Sequence, residues 1–388
     1  MKRADFIFCS LVLAACSRTP GASALPPFTP NQSKTSSSNF ETLFRFTART
    51  DGHVPVGVLL PLNGVFFGTT YFAGNANTSH GVVFEITTSG FETILHLFKG
   101  KSDGLGPYAG LIDVNGTLYG TTQEGGKHHL GTVYAITTAG SEKVLLSFGG
   151  ANGSYPRANL LDVNGVLYGT TYFGGSHGYG TVFSMTTAGA ETVLHSFKAG
   201  TDGSEPLDPL ILVKGKLYGT TSRGGANDDG TVFAIDTNGK EEILYSFKGG
   251  KDGIEPFGGL TSVNGTLYGT TFYGGAYYKG TAYKITTAGA ESVVHSFGSG
   301  TDGAAPTAGL TLYNGELYGD TERGGANGKG TIYEISPSGS ESILYSFTGG
   351  DSGDQPYADL TASDGALYGT TLFGGGPKNF GTAFRFSL

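Results

Sequence analysis

The 388-residue chain has no tryptophan, two methionines and two cysteines, and only 14% of its residues are charged. Cys9 and Cys16 both fall within the first sixteen positions, so no disulfide can staple the remainder of the chain. Basic residues are scarce. The 24 Lys and Arg against 32 Asp and Glu leave a net charge of -8, which makes nucleic acid a poor partner, because phosphate binding wants a basic face. The apolar stretch at positions 6 to 13 falls far short of the about 20 residues that a membrane-spanning helix needs. What the chain has in excess is glycine, 67 residues, against an average usage of roughly 7%. Each glycine in a helix interior costs on the order of 1 kcal/mol relative to alanine, and these recur throughout, so the chain is not mainly helical. Nor is it disordered, since 38% hydrophobic and 12% aromatic content can bury a large core.

A short segment, Leu-Tyr-Gly-Thr-Thr or a close variant, places its glycine at Gly68, Gly120, Gly169, Gly219, Gly269, Gly319 and Gly369, with spacings of 52, 49 and then 50. A period near 50 belongs to propeller blades or solenoid coils. In the copy from 256 to 297, four stretches of strand length and composition lie at 257 to 263, 267 to 271, 280 to 286 and 291 to 297. Asn264-Gly265 joins the first two as a tight hairpin, repeated at Asn115-Gly116, Asn164-Gly165 and Asn314-Gly315. A short Gly turn joins the last two, and longer loops make the other connections, which gives a four-stranded antiparallel meander. Both faces of the strands are apolar, as in 181 to 185 and 193 to 197, which suits sheets packed between two neighbours. The body begins with a fourth-type strand at 43 to 46 and ends with a third-type strand at 381 to 386. The fold expected is therefore all-β: a seven-bladed propeller of four-stranded antiparallel blades, closed by an N-terminal strand that completes the last blade. A linear β-solenoid is the alternative, but no polar capping unit is present. One misfit is Glu41, which stands one residue later in its strand than Glu191 and Glu291 do in theirs.

The repeated Leu-Tyr-Gly-Thr-Thr, the Gly-Gly followed by Gly-Thr-Val-Phe, and the Glu-x-x-Leu-x-Ser-Phe strand resemble the GloVer-type choice-of-anchor tandem repeat of bacterial surface proteins, over about residues 40 to 388. The resemblance implies a β-propeller-like surface protein and brings no catalytic residues with it. Upstream, Lys2 and Arg3, the apolar run and Leu13-Ala14-Ala15-Cys16 resemble a bacterial lipobox, which implies a signal peptide over 1 to 15 and a lipid on Cys16. In that resemblance Ser17 points to the outer membrane; a secreted or periplasmic protein is the alternative. Residues 16 to 39, rich in Ser, Thr and Pro, read as a tether that would hold the body about 25 to 30 Å from a membrane.

Residues present in every copy are poor candidates for a single site. The turn residues Asp51, Asp103, Asn152, Asp202, Asp252, Asp302 and Ser352 read as turn caps, since one carboxylate per turn offers too few ligands for calcium. His96, His195 and His295 share a fourth-strand position held elsewhere by Leu146, Tyr245 or Tyr345 and read as structural. His128, His129 and His177 lack regular ligand spacing. No metal or cofactor is expected. Sialidase-type boxes, a Gly-x-Ser-x-Gly nucleophile turn and a phosphate loop are absent from the sequence, so no catalytic residue is assigned and the protein leans away from being an enzyme.

Differences between copies carry more information. On the face where the long loops emerge, the loop tips vary: Tyr172, Phe173, Tyr277 and Tyr278 are aromatic, whereas Arg223 and Arg323 are charged. The residue after each loop proline also varies, including Tyr108, Arg157, Phe257 and Tyr357. Aromatic rings with a few Arg around a concave mouth suit a glycan or peptide. These ten residues are the candidate binding site of a monomeric, non-catalytic module for a polysaccharide or an envelope protein. The alternative is an enzyme acting on polysaccharide or peptide at the channel mouth through Arg157, Asp208 and nearby carboxylates.

Overall fold

A computed structural model describes residues 36–37, 39–48, 50–73 and 80–388. The leader, Cys16 and most of the tether lie outside the described residues. Six four-stranded antiparallel sheets follow one another along the chain, each with its strands in sequence order, and a seventh combines the C-terminal strands with a strand from the N-terminal end. The third blade, with strands Leu161–Val163, Val166–Thr171, Thr181–Thr186 and Glu191–Ser196, is representative. The first strands of neighbouring blades touch around the axis, so the first strand is innermost and the fourth outermost. No helix among the described residues is long and apolar enough to cross a membrane.

Local chemistry explains the repeated segment. The glycine of Leu-Tyr-Gly-Thr-Thr lies under the aromatic ring of the third strand: a Cβ on Gly169 would sit 2.7 Å from Phe183. The last threonine of the segment pairs its hydroxyl with the first threonine of the third strand, as in Thr171 and Thr181 at 2.8 Å, both buried. The Asn-Gly hairpins place both residues in the left-handed region, with φ of 52° at Asn264 and 84° at Gly265. Core clusters form between blades. Val133 and Phe148 of the second blade pack with Leu167, Phe183 and Met185 of the third, which accounts for strands that are apolar on both faces.

The ring closes as the sequence predicts. The strand Phe40–Arg45 pairs antiparallel with Thr382–Ser387 and completes the last blade. The ends of the body meet there, where the Ser387 N–H donates to the Asn39 carbonyl at 2.8 Å. The displaced Glu41 also finds its reason. Phe40 takes the register position that Glu191 holds elsewhere, opposite Phe386, and Glu41 falls opposite Arg385. The Phe40 ring then stacks on Tyr345 at 4.1 Å between centroids.

One detail departs from expectation. The first strand spans six residues in Gly258–Val263 but only three in most other blades, such as Ile112–Val114. Near the axis the chain bonds sideways to the adjacent blade instead of to its own second strand. Thr69 donates to the Ala109 carbonyl at 2.9 Å and Thr270 to the Ala308 carbonyl at 2.8 Å.

Candidate functional site

The residue after each loop proline stands a few residues ahead of the short innermost strand, so these residues converge on the channel mouth. Tyr108, Arg157, Leu207, Phe257, Thr307 and Tyr357 line one depression that is open to solvent. Four sequence-selected candidates, Tyr108, Arg157, Phe257 and Tyr357, are thereby brought together.

Arg157 is the centre of the arrangement. Its guanidinium carbon lies 4.1 Å from the centroid of the Tyr172 ring and 5.6 Å from that of Tyr108, a cation–π geometry. Tyr172 is only 1% exposed and anchors itself by donating its hydroxyl to Glu205 at 2.7 Å. It is thus the floor beneath Arg157 and not part of the open surface. The Tyr108 and Tyr357 hydroxyls hydrogen-bond to each other across the mouth, and burial pushes the Tyr357 phenol well above its usual range. Phe257 packs on Phe272 with centroids 5.2 Å apart.

The other candidates are dispersed. Phe173 packs on Tyr172 with centroids 4.3 Å apart. Arg223 is held between Glu205 at 3.4 Å and Glu255 at 2.9 Å, and Arg323 pairs with Glu322 at 3.0 Å. Tyr277 and Tyr278, 52% and 64% exposed, stand on a loop tip away from the residues that line the depression.

Asn159, Asp208 and Asp359 also line the depression. Asp359 accepts the Gly309 N–H at 2.7 Å and Asn159 accepts the Gly110 N–H at 2.6 Å, each tying its blade to the one before it. Asp208 accepts the Thr220 hydroxyl at 3.1 Å. Burial raises the Asp208 carboxyl well above its ordinary range, and the charge of Asp359 adds to the effect. Asp359 is raised too, by burial, against the pull of its bond to Gly309.

Glu205 and Glu255 escaped the sequence reading. They stand immediately before the loop proline, at φ of 60° and 55°, in a region that non-glycine residues seldom enter. This position varies between copies as the next one does, from Val54 and Tyr155 to Ala305 and Gln355. That variation was the available signal. The strained backbone turns these side chains toward the loops, where the two glutamates hold Tyr172 and Arg223.

Comparison with known proteins supports the repeat and the architecture. A family model described as the Gloeobacter/Verrucomicrobia repeat matches residues 76–265 and 215–388. No curated protein sequence matches the chain. Among solved structures it is similar to virginiamycin B lyase from Staphylococcus aureus, at 14% identity, with 88% of this chain and 98% of that chain covered and a TM-score of 0.60. A streptogramin B lyase structure is similar at 17% identity, 90% and 98% coverage and a TM-score of 0.61. A puromycin-hydrolyzing peptidase from Mycobacterium tuberculosis is similar at 10% identity, with 83% and 50% coverage and a TM-score of 0.52. At these identities the likeness is one of fold.

Proposed function

Because the chain belongs to the Gloeobacter/Verrucomicrobia repeat family, we propose that its seven repeats serve as a non-catalytic binding module, displayed at a bacterial cell envelope by a lipid on Cys16. The observation that carries the binding reading is the Arg157 guanidinium stacked on the buried Tyr172 ring, beside Tyr108, in an open depression. A guanidinium that is pre-positioned in this way loses little freedom on forming hydrogen bonds. Flanking tyrosine rings offer flat apolar faces to a sugar ring. A polysaccharide is the ligand this favours, with an envelope protein as the alternative. Carboxylates that line the depression bond backbone and hydroxyl groups of the blades, which suits a scaffold for binding.

A panel of envelope and plant polysaccharides, with product analysis of every positive, tests this. Binding without new reducing ends is the expected result, and Arg157→Ala should weaken it about tenfold or more while the melting temperature stays close to that of the parent. Silence across the panel and across envelope-protein pull-downs would remove the reading.

A second reading rests on the raised carboxyls of Asp208 and Asp359 in the same depression, since a carboxyl kept protonated can act as a general acid. New reducing ends that disappear in Asp208→Asn would replace the binding module with an enzyme. Anchoring is tested separately: Cys16→Ala should move the protein from the membrane fraction to the soluble one. The expected address is the outer membrane.

A further inference from the structure

Around the outer rim, each blade meets the next at a junction made by three positions. They are a residue late in one fourth strand, the residue that caps the following turn, and the first residue of the next blade's fourth strand. At three of the seven junctions these are His96, Asp103 and Glu142; His195, Asp202 and Glu241; and His295, Asp302 and Glu341. The sequence spacings are the same in all three, 7 and then 39 residues. We infer that these three junctions are binding sites for a divalent transition-metal ion of the zinc type, one ion each, held by an imidazole nitrogen and two carboxylates from adjacent blades.

Geometry supports this first. Within each group the ligand atoms lie within 4.8 Å of one another. The histidine Nε2 stands 3.4, 3.2 and 3.0 Å from the aspartate Oδ2 in the three groups. Two donors on one tetrahedral ion with bonds of 2.0–2.1 Å are about 3.3 Å apart. The side chains are sheltered but reachable, with histidines 14–20% and aspartates 7–20% exposed. A nitrogen ligand beside two oxygens favours zinc and its neighbours over calcium or magnesium, which prefer all-oxygen shells. Three protein ligands would leave a fourth position for water.

The second support is an unmet need at the same place. Glu142, Glu241 and Glu341 each keep one buried carboxylate oxygen without a hydrogen-bond partner, beside a second carboxylate. The same glutamate oxygen is unpartnered among the described residues at Glu92, Glu191 and Glu291, where no histidine stands opposite and the turn residue is engaged otherwise. Asn152 replaces the aspartate and donates to Glu191 at 3.2 Å. Tyr245 donates to Asp252 at 2.8 Å, and Thr47 donates to Asp51 at 3.0 Å. At the junction of Tyr345, Ser352 and Phe40 both carboxylates are gone. Asp51 with Glu92 and Asp252 with Glu291 keep both carboxylates but have Phe44 and Tyr245 in place of the histidine, so the imidazole is what marks the three proposed sites. The turn-cap reading of these aspartates also holds, since Asp103 accepts the Lys99 N–H at 2.7 Å. Taken alone, however, the turn does not include the glutamate that the next blade supplies.

The test is titration of the full chain, stripped with a chelator, with Zn²⁺ by calorimetry near neutral pH. The expected stoichiometry is three ions per chain, with a melting temperature that rises with Zn²⁺ concentration. His195→Leu borrows the residue that the chain itself uses at Leu146 and should lower the stoichiometry to two. The combined His96→Leu, His195→Leu and His295→Leu variant should lose binding and the thermal shift while keeping its far-UV circular dichroism. If that variant fails to fold, the single substitution still decides. Less than one ion per chain, or a stoichiometry unchanged by His195→Leu, would overturn the assignment and give any binding to surface groups such as His128 and His129.

Discussion

At the scale of single residues, the repeats act as controls on one another. The third strand carries Phe84, Phe183, Phe233 and Phe384 at the position where three other copies have Tyr134, Tyr283 and Tyr333. Among the described residues those three hydroxyls are buried without a partner, and burial raises their phenols far above the usual range. An unpaired buried hydroxyl costs about 1–3 kcal/mol. Tyr134→Phe, Tyr283→Phe and Tyr333→Phe should therefore each stabilise the protein by about 1 kcal/mol, measured by chemical denaturation; a loss of that size would reveal a bridging partner for the hydroxyl. At the mouth, the sequence made Tyr108, Arg157, Phe257 and Tyr357 legible because they differ between otherwise identical units. It could not tell Tyr172, a buried support 1% exposed, from Tyr278, 64% exposed. Both are aromatic loop residues, and only packing separates them.

At the scale of strands and turns, the hairpin between first and second strands has one weak copy. Lys214 occupies the left-handed position at φ of 50° that Asn115, Asn164, Asn264 and Asn314 hold elsewhere. Asparagine tolerates this conformation because its side chain bonds locally to the backbone. Lys214→Asn is expected to stabilise by about 0.5–1 kcal/mol, read as a shift in denaturation midpoint with unchanged slope. Strand order and blade count were legible from turn chemistry and period. The short innermost strands were not, because they depend on sideways bonds such as Thr69 to Ala109, across 40 residues, which no local pattern records. The rim junctions were hidden for the same reason. A histidine and an aspartate seven apart look complete until the next blade adds its glutamate 39 residues on.

At the scale of the whole molecule, the closing strand and the buried carboxyls set stability. Deleting residues 40 to 46 would leave Thr382–Ser387 as an unpaired edge. The truncated protein should melt at lower temperature and aggregate, whereas an unchanged melting curve would contradict the closing role. Burial pushes Glu92 up to about 8 and Glu241 and Glu291 up to about 7, and raises Asp320, fully buried with both oxygens unpartnered among the described residues, in the same direction. Such groups bind protons more tightly in the folded state than in the unfolded chain. Their contribution is complete below the unfolded value near 4 and is lost as pH rises through 7 to 8. His53, lowered to about 4 by burial, acts oppositely, and its contribution is lost as pH falls below about 6.5. With chelator present, the melting temperature should fall by several degrees from pH 6 to pH 9, and Asp320→Asn should reduce that fall; a flat profile would contradict the burial of these carboxyls.

The contact between Ser387 and Asn39 has a topological consequence. A circle whose two ends touch has no obligatory starting point. Joining those ends with a short linker and opening the chain at another exposed turn, such as that around Gly289, should yield a circular permutant with the same seven blades. The mouth would be unchanged, but any N-terminal anchor would then leave from a different sector of the rim. The orientation in which the depression is presented is thus set by where the chain is cut, separately from the ring that forms it.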